Sequence, residues 1–360
     1  MPPPHHGMSA INEAVVRMLR AEGITVTVFN TSPTLLNQNG IWARLSRIGR
    51  ICAAIWRVEK LVSGSGDTVY MSPSSGPWLI CEALIAWRAR RTNAHIVVHH
   101  HSFSYLNRLY WPMRWLVKSA GSDACHVTLC QYMGRLLGEL YPRVGHTLVM
   151  SNSALLDVPV TPTPCNISKL KTIGFLSNIS PAKGILEVLR LAEALLCSGN
   201  NICLKIGGPF IDKNIESLFR MRIKNLPNIE YVGPVYGDDK EQFYNTIDAF
   251  VFPTSYHNEA EPLVVLEALR HGCPVIAFAR GCIGSILEEE CGIAVPTGVD
   301  FTTAAMAKII QWQENPQIFF EARKSAEEQY RYLRSEAFIA RMAFINEFDA
   351  VNNRNQYCSK

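Results

Sequence analysis

The chain has 360 residues, of which 48% are hydrophobic and 18% are charged. This composition is typical of a well-packed globular protein and excludes a disordered one. The length exceeds one ordinary hydrophobic core, so we expect two domains. A formal net charge of +4 is too small to indicate a nucleic-acid partner.

Neither a signal peptide nor a membrane-spanning segment is recognisable in the sequence. The longest apolar run, from Trp78 to Trp87, contains Glu82 and is too short to cross a bilayer. The eleven cysteines are dispersed, odd in number and without a CxxC pair. This pattern favours free, mostly buried thiols in a reducing compartment, and we therefore expect a cytoplasmic protein.

Hydrophobic periodicity in the first half of the chain alternates between strand and helix. The predicted strands are Ile24–Phe29, Thr68–Met71, His95–His100, Ala124–Leu129 and Thr147–Met150. The predicted helices are Met8–Ala21, Ile41–Leu61, Trp78–Arg90 and Tyr105–Ala120. Gly7 stands in a turn before the first helix, where it permits close approach of the backbone to a ligand. Strand and helix in strict turn predict βα units with a parallel sheet.

A proline-containing linker between residues 152 and 164 precedes a second βα series. Its predicted strands are Thr172–Leu176, Ile202–Ile206, Ile229–Val232, Ala249–Phe252, Val275–Phe278 and Ile293–Pro296. Its predicted helices are Ile185–Leu196, Ile215–Ile223 and Glu241–Asn245, with a polar, basic helical region at Glu321–Phe348. We therefore predict an α/β protein with two Rossmann-like, doubly wound parallel-sheet domains over 1–160 and 161–330, and a C-terminal helix over 331–360.

The stretch from 252 to 278 reads as strand end, loop, helix, turn and strand. Pro262 suits the first helical position, because its missing N–H costs nothing there, and a glycine and a proline end the helix at 272 and 274. Glu259 then lies in the loop before the helix, and Glu267 lies between one and two turns inside it. A helix N-terminus can bind an anion such as a diphosphate, and a carboxylate can accept two hydrogen bonds from a ribose or sugar diol.

Two less specific interpretations of these residues stay open. The Glu-x7-Glu spacing also occurs on amphipathic surface helices whose glutamates are merely solvated. Lys183 lies within Ser180–Gly184, between the first strand and the first helix of the second domain. Its ammonium group could reach diphosphate oxygens there, or it could be an ordinary solvent-facing lysine at a helix start.

The stretch around the two glutamates resembles the retaining nucleotide-sugar glycosyltransferases of family four, which have the two-domain GT-B fold. The residues that carry the resemblance are Glu259, Pro262-Leu263, Leu266-Glu267-Ala268, Gly272-Cys273-Pro274-Val275-Ile276 and the Lys183-Gly184 element. The resemblance implies two domains that face a central cleft, with the last helix returning to the N-terminal domain. It also implies a strand before Pro2, so the first strand of the N-terminal sheet is expected to be missing from this sequence.

The resemblance implies a role for each residue around the donor. Glu267 would hold the ribose diol, Glu259 the hydroxyls of the transferred sugar, and Lys183 the diphosphate leaving group. The backbone groups expected beside the diphosphate are those of Gly7, Pro262 and Leu263.

The sequence departs from the family pattern at the first strand of the second domain. The family often has an arginine where this chain has Phe175. Ser177 and Asn178 are expected to replace the hydrogen bonds of that arginine, with less neutralisation of charge. The loops at Gly208 and Val235 are expected to let a nucleotide lie against the backbone.

Three consecutive histidines end a strand of the first domain. A zinc site here would need further ligands, which no nearby cysteine or histidine offers at a recognised spacing. The resembling family places a functional histidine at this strand end, close to the donor sugar; His101 is the better match and His99 is nearly as good. A structural histidine is the alternative.

The acidic pair Asp238-Asp239 is not a DxD motif and lies at a predicted helix start, where carboxylates serve as caps. We therefore expect no metal ion and no other cofactor, with the nucleotide sugar as co-substrate.

The function that the resemblance implies is transfer of a hexose-type sugar from a nucleoside-diphosphate sugar to a glycan or lipid-linked acceptor, in cell-surface polysaccharide synthesis. The family implies substitution on the same face of the sugar, and no acidic residue is obviously placed as a covalent nucleophile. A GT-B sugar-nucleotide epimerase and a non-catalytic GT-B partner subunit are the alternatives. The intact Glu259, Glu267 and Lys183 argue against the non-catalytic subunit.

The predicted helix Tyr105–Ala120 has two distinct faces at 100° per residue. The apolar face consists of Leu106, Leu109, Met113, Leu116 and Val117. The opposite face combines aromatic rings with cations at Trp111, Arg114, Trp115 and Lys118. Such a face suits the headgroup region of an anionic membrane, so we expect peripheral contact with the inner face of a membrane. The alternatives are that the tryptophans pack under a loop and that Pro112 kinks the helix.

Overall fold

The computed structural model describes residues 7–29, 41–62, 66–156 and 169–357. The chain divides into two compact units. The first consists of Met1–Asp157 and Glu336–Lys360, and the second of Val158–Ser335. Each unit is built on a parallel sheet with helices, as the alternating sequence pattern predicts.

The sheet of the first unit has four parallel strands in the order β1-β2-β3-β4. They are β1 (Thr68–Met71), β2 (His95–His99), β3 (Cys125–Thr128) and β4 (His146–Val149). The register places Val97 beside Cys125, and Cys125 beside His146. Because neighbouring strands run in the same direction, their amino ends lie at one edge of the sheet and their carboxyl ends at the other.

The helices of the first unit pack through small apolar residues. They are α1 (Gly7–Ala21), α2 (Ile41–Leu61), α3 (Leu79–Arg90), α4 (Trp111–Ala120) and α5 (Gln131–Leu140). In α3, Ala83, Ala86 and Ala89 are fully buried and recur every three residues along one side. This stripe lets α3 pack closely against its neighbours, which include α4 and β2.

The prediction of a strand over Ile24–Phe29 is wrong. These residues belong to no sheet of the described chain, and Val28 and Phe29 are exposed. Alternation of apolar and polar residues produces a strand only where a neighbouring strand pairs with its backbone groups, and no described segment does so here. The strand expected before Pro2 would fall outside the described residues.

The helix predicted at Tyr105–Ala120 begins at Trp111 instead. Pro112 lies in its first turn, where proline is tolerated; a helix reaching back to Tyr105 would place Pro112 in the interior and lose a backbone hydrogen bond. Pro112 therefore starts the helix and does not kink it. As a consequence Leu109, expected on the core face, is 53% exposed.

The sheet of the second unit has six parallel strands in the order β10-β9-β8-β5-β6-β7. They are β5 (Thr172–Leu176), β6 (Cys203–Gly207), β7 (Ile229–Gly233), β8 (Ala249–Phe252), β9 (Val275–Phe278) and β10 (Gly292–Val295). The chain proceeds outward from β5 to β7, then returns to the other side of β5 and continues from β8 to β10. The order reverses between β5 and β8, so this sheet is doubly wound with a switch point there.

The helices of the second unit are α6 (Ile185–Cys197), α7 (Lys213–Ile223), α8 (Asp238–Asn245), α9 (Leu263–Arg270), α10 (Ile283–Ile286), α11 (Phe301–Glu314) and the start of α12 (Pro316–Tyr357). The sequence patterns do not predict α5, α10 or α11. Helix α5 contains Gly134 and Gly138, which lower helix propensity, and α10 is only four residues long.

Helix α12 ends in the first unit, to which its residues from Glu336 onward belong. Phe344 packs edge-on against Tyr70 of β1, and the Thr68 hydroxyl donates to the carbonyl of Glu347 at 3.4 Å. Arg341 pairs with Glu22, beyond the end of α1. The final helix is therefore part of the packing of the N-terminal unit.

The thiols are only partly as expected. Seven cysteines within the described ranges are free, and three of them, Cys125, Cys273 and Cys291, are buried. Cys130 and Cys282 each take part in a disulfide, which corrects the expectation of free thiols throughout. Proximity of sulfur atoms is a property of the tertiary structure that spacing along the chain does not reveal. Among the described helices, none is long and apolar enough to cross a membrane.

Candidate functional site

The candidate site lies at the switch point of the second sheet. The loop after β5 leads to Lys183, and the loop after β8 leads to Glu259 and then to α9. In open α/β sheets, ligands bind outside the carboxyl ends of the strands at the point where the strand order reverses. The topology therefore brings these two loops together although 76 residues separate Lys183 from Glu259.

The loop after β5 holds Lys183 through a short turn. The Ser180 hydroxyl accepts a hydrogen bond from the Lys183 N–H at 3.2 Å. Gly184 follows with a φ of +96°, and a Cβ at Gly184 would lie 2.2 Å from the carbonyl oxygen of Pro253 in the loop after β8. Only glycine fits this close approach, so Gly184 allows the two loops to pack directly on each other.

Lys183 and Glu259 form an ion pair within this packed region. The Lys183 Nζ lies 2.6 Å from Glu259 Oε2, and the Thr254 hydroxyl donates to the same oxygen at 2.9 Å. The side chains of Lys183 and Glu259 are 23% and 8% exposed. The ammonium group also lies over the Tyr256 ring, 4.7 Å from its centroid. Thr254 is a site residue that sequence reasoning missed.

A third loop supports Glu259 from behind. Gly281, after β9, has a φ of +60°, and a Cβ there would lie 2.4 Å from the carbonyl oxygen of Glu259. The Cys282 N–H donates to the carbonyl of Ala260 at 2.7 Å, and Arg280 donates to the carbonyl of His257 at 2.9 Å. The loop after β9 therefore holds the backbone around Glu259 through these contacts, in addition to the loop that carries Lys183.

Glu267 takes part in a second Lys–Glu contact. Its Oε1 lies 2.6 Å from the Nζ of Lys240, and its Oε2 accepts a hydrogen bond from the Tyr244 hydroxyl at 2.9 Å. Burial, followed by the negative charge of Glu267, raises the pKa of Tyr244 well above its ordinary value. Tyr244 is therefore a phenol that donates, and it holds the Glu267 carboxylate in one orientation.

Sequence reasoning missed both partners of Glu267. Lys240 and Tyr244 lie four residues apart in α8, which places them on the same helix face. The spacing of Lys240 and Tyr244 predicts a shared helix face, but it identifies them as partners of Glu267 only if the packing of α8 beside α9 is known. The acidic pair in α8 is placed differently from the prediction: Gly237 is the N-cap, and Asp238 and Asp239 lie in the first turn, where negative charge still complements the helix dipole.

Pro262 lies one residue earlier than predicted. It is the N-cap of α9, with a ψ of 123°, and Leu263 is the first helical residue. Its extended ψ prevents it from being part of the helix. Glu259 precedes the helix and Glu267 is its fifth residue, so the predicted placement of the two carboxylates is confirmed. The helix ends at Arg270 with Gly272 at a φ of +63°.

Backbone groups after β5, β6 and β7 approach closely at the same sheet edge. A Cβ at Gly208, whose φ is +117°, would lie 1.8 Å from the carbonyl oxygen of Ser177. The Gly208 N–H donates to Gly233 at 2.7 Å. The Ser177 hydroxyl is buried and has no hydrogen-bond partner in the described part of the chain, whereas Asn178 is exposed. Most buried hydroxyls in proteins have a hydrogen-bond partner, so Ser177 is an exception at this edge.

Val235 is a buried residue just beyond β7. Its Cγ2 would lie 3.0 Å from a Cβ at Gly207, so its side chain serves packing. A contact from Val235 to a nucleotide would have to come from its main chain, as the family resemblance implies.

Two predicted site residues belong to the first unit. Gly7 is the first residue of α1. His101 follows β2, with its ring centroid 4.0 Å from that of His99, and the Nε2 atoms of both histidines are buried without a described partner. Burial lowers the pKa of His101 to about 3, so its imidazole is neutral. The Tyr70 hydroxyl lies 3.0 Å from His99 Nδ1.

The architecture is the GT-B fold. Sucrose-phosphate synthase from Thermosynechococcus elongatus superposes with a TM-score of 0.70 over 99% of this chain and 94% of that chain, at 17% sequence identity. Anabaena HepE, solved in complex with UDP, superposes with a TM-score of 0.62 over 90% of this chain and 87% of that chain, at 18% identity. At such low identities the likeness establishes the fold alone.

Residues 165–332 match the family described as "Glycosyl transferases group 1". This segment contains both Lys–Glu contacts of the site. The capsular polysaccharide biosynthesis glycosyltransferase CapM of Staphylococcus aureus is 31% identical over 135 residues, which are 37% of this chain and 34% of CapM. The chain thus matches about a third of the length of this relative, and smaller shares of two others, 24% and 28%.

Proposed function

We propose that this chain is a retaining glycosyltransferase that transfers a hexose-type sugar from a nucleoside-diphosphate sugar to a glycan or lipid-linked acceptor, in cell-surface polysaccharide synthesis. The observation that supports it best is the pair of contacts Lys183–Glu259 and Lys240–Glu267 beside the switch point of the second sheet. The group 1 family match covers both contacts. The name of CapM supports the polysaccharide context, and the UDP in HepE supports the donor class.

In this proposal Lys183 changes partner when the donor binds. The neighbouring Glu259 neutralises the ammonium group in the free protein. A diphosphate at the start of α9 meets the N–H groups of the first helical turn, which lack intrahelical partners, and draws Lys183 toward its oxygens. Negative charge on the diphosphate increases as its bond to the sugar breaks, and a positioned ammonium group stabilises that charge.

The two glutamates hold the two ends of the donor. Once Lys183 turns to the diphosphate, the Glu259 carboxylate can accept hydrogen bonds from two sugar hydroxyls while Thr254 keeps it in place. Glu267 accepts from the ribose diol, with Tyr244 and Lys240 orienting it. Ser177 and Asn178 supply further hydrogen bonds, and the backbone near Gly208 and Val235 lies against the nucleotide.

The transfer itself exchanges one bond for another on the same face of the sugar. The bond between the anomeric carbon and the diphosphate oxygen breaks, the acceptor oxygen bonds to that carbon, and the acceptor proton passes to the leaving phosphate. We propose that neutral His101 hydrogen-bonds to the donor sugar and that backbone near Gly7 contacts the diphosphate. No metal ion takes part, so added Mg²⁺ or Mn²⁺ should leave turnover unchanged.

We also propose that the protein acts at the inner face of a membrane, where a lipid-linked acceptor would lie. Support comes from α4, in which Trp111 is 63% exposed, Arg114 and Lys118 are exposed, and Trp115 is half-buried. Exposed indoles beside cations suit the headgroup region of an anionic bilayer.

The proposed function can be tested by product analysis. UDP-, GDP- and dTDP-hexoses are first screened by thermal shift, because a ligand that binds the native state raises its apparent stability. The stabilising donor is then incubated with lipid-linked glycan acceptors, and the anomeric configuration of the product is read by NMR. Transfer with retention supports the proposal. Inversion contradicts the retaining mechanism, and a new sugar epimer without acceptor would favour the epimerase.

A further inference from the structure

We propose that Cys125, His146 and Glu347 form a zinc site in the first unit, with His95 orienting the glutamate, and that this site fastens the final helix to the sheet. One ligand atom of each of the three residues lies within 4.8 Å of the others. The cluster combines thiol, imidazole and carboxylate, which are the three ligand types that Zn²⁺ takes in proteins.

The sheet topology brings the cluster together. His95 is the first residue of β2, Cys125 of β3 and His146 of β4. Cys125 and His146 are neighbours in the register of the parallel strands, and His95 lies two residues before Val97, the β2 neighbour of Cys125. Glu347 of α12 contacts both His95 and His146 at this edge of the sheet. His101 lies beyond the other end of β2, about 13 Å or more away along an extended strand, so the cluster is separate from the proposed donor contact.

The distances between side-chain atoms indicate which of the four residues would bind the ion and which would only orient a ligand. Bond lengths of about 2.0–2.3 Å put two ligands of one tetrahedral zinc about 3.3–3.6 Å apart. His146 Nε2 and Glu347 Oε1 are 3.4 Å apart, which fits a shared ion. His95 Nε2 and Glu347 Oε2 are 2.7 Å apart, too close for two ligands of one ion. His95 therefore donates a hydrogen bond to Glu347, as outer residues around metal sites commonly do.

The chemistry of the buried thiol fits a soft divalent cation. Cys125 is fully buried, and its sulfur is a soft ligand of the kind that Zn²⁺ takes in structural sites. Zinc binds the thiolate form of cysteine, so binding would replace the thiol proton and release it to solvent. His146 is exposed, so the ion can enter from solvent, and water completes its coordination.

The site would act on the last helix. Glu347 is 222 residues beyond Cys125 along the sequence. Other described contacts of this part of α12 include the packing of Phe344 and Phe348 on Tyr70, the weak Thr68 hydrogen bond and the Arg341–Glu22 pair. An ion bound by residues of β3, β4 and α12 would crosslink these three elements. Zinc should therefore slow amide hydrogen exchange in residues 336–348.

The test uses the whole chain after removal of metal by a chelator. Zn²⁺ is added and binding is measured by calorimetry with a competing chelator, and Co²⁺ is used as a spectroscopic probe for a thiolate-to-cobalt charge-transfer band. We expect one equivalent to bind, the charge-transfer band to appear, the melting temperature to rise and exchange in 336–348 to slow. Absence of binding, or binding without the thiolate band, would overturn the proposal.

Variants locate the ion. His146→Ala changes an exposed side chain. It should weaken zinc binding about 100-fold or more, because loss of a ligand costs at least as much as loss of an outer-shell residue. His95→Ala should weaken zinc about 10- to 100-fold but keep the thiolate band. Cys125→Ser should abolish that band, and Cys52→Ser, at an exposed free cysteine, is the matched control. Equal zinc affinity in His146→Ala and the parent would show that the ion binds elsewhere.

Discussion

Lys183 Nζ lies 2.6 Å from Glu259 Oε2, and the two side chains are 23% and 8% exposed. Their loops follow β5 and β8, so the contact links the two sides of the switch point. The proposed function gives this pair two consequences: it stabilises the site before the donor binds, and it keeps both charges where a donor would contact them.

Lys183→Ala should lower both stability and turnover. The substitution leaves the buried Glu259 carboxylate with Thr254 as its remaining described side-chain partner. Removing one partner of a buried ion pair typically lowers the free energy of unfolding by about 3–5 kcal/mol. Chemical denaturation measures this loss. The double variant Lys183→Met/Glu259→Gln should recover most of the stability and remain inactive. Recovery of activity in the double variant would contradict the role given to Lys183.

Glu267→Ala should weaken nucleotide binding, whereas Glu259→Ala should mainly lower turnover. The reason is their placement, Glu267 inside α9 and Glu259 in the loop before it. Losing hydrogen bonds to a buried diol should cost about 1–3 kcal/mol of nucleoside-diphosphate affinity. Calorimetric titration of UDP, GDP and dTDP against both variants measures this. Equal affinities in the two variants would refute the assignment.

Gly184→Ala should destabilise the second unit and reduce turnover. Its φ of +96° costs an alanine about 1–2 kcal/mol, and the Cβ would lie 2.2 Å from the Pro253 carbonyl oxygen, which adds about 1–3 kcal/mol of overpacking. Gly199→Ala is the matched control, because Gly199 has a φ of +71° and nothing within 4 Å of its Cβ position. Similar losses of unfolding free energy in both variants would mean that loop packing at Gly184 is unimportant.

The first unit should lose stability as the pH falls below about 6.5. Burial lowers the pKa of His101 to about 3, and burial and neighbouring histidines lower those of His99 and His100 well below the ordinary value. Between pH 6.5 and about 3 the unfolded chain binds protons that the native chain does not, so stability rises with pH in this window. His101→Asn should reduce the slope of unfolding free energy against pH by roughly 1.4 kcal/mol per unit. An unchanged slope would contradict a neutral, buried His101.

The protein should sediment with anionic vesicles, and added salt should weaken the association because the cations of α4 are exposed. Trp111→Ala/Arg114→Glu/Trp115→Ala should lose it while keeping its circular dichroism spectrum. The control is Arg135→Glu, which reverses an exposed charge on α5. Sedimentation of the triple variant equal to that of the parent, or none by the parent, would exclude α4 as the contact.

The local parts of the fold were readable from the sequence. Strands β5, β8 and β9 have the predicted limits. A short apolar run between turn residues is typical of a buried strand, and this pattern is local in the sequence. The placement of Glu259 and Glu267 was predictable for the same reason. Pro262 marks the start of helix α9 and Gly272 follows its end, and both residues lie close to the two glutamates in the sequence. Where a prediction failed locally, as at Ile24–Phe29, no strand in the described part of the chain pairs with the segment.

Contacts between residues far apart in the chain were decided by the tertiary structure. Lys240 and Tyr244 meet Glu267 only because α8 packs beside α9. Lys183 reaches Glu259 only because the strand order places the loops after β5 and β8 side by side. Cys125, His146 and Glu347 have no recognisable spacing, since parallel strands and a returning helix bring them together across 222 residues. Periodicity records which face of an element is buried. Which elements then become neighbours depends on strand order and helix packing, and these placed Lys183 beside Glu259 and Lys240 beside Glu267.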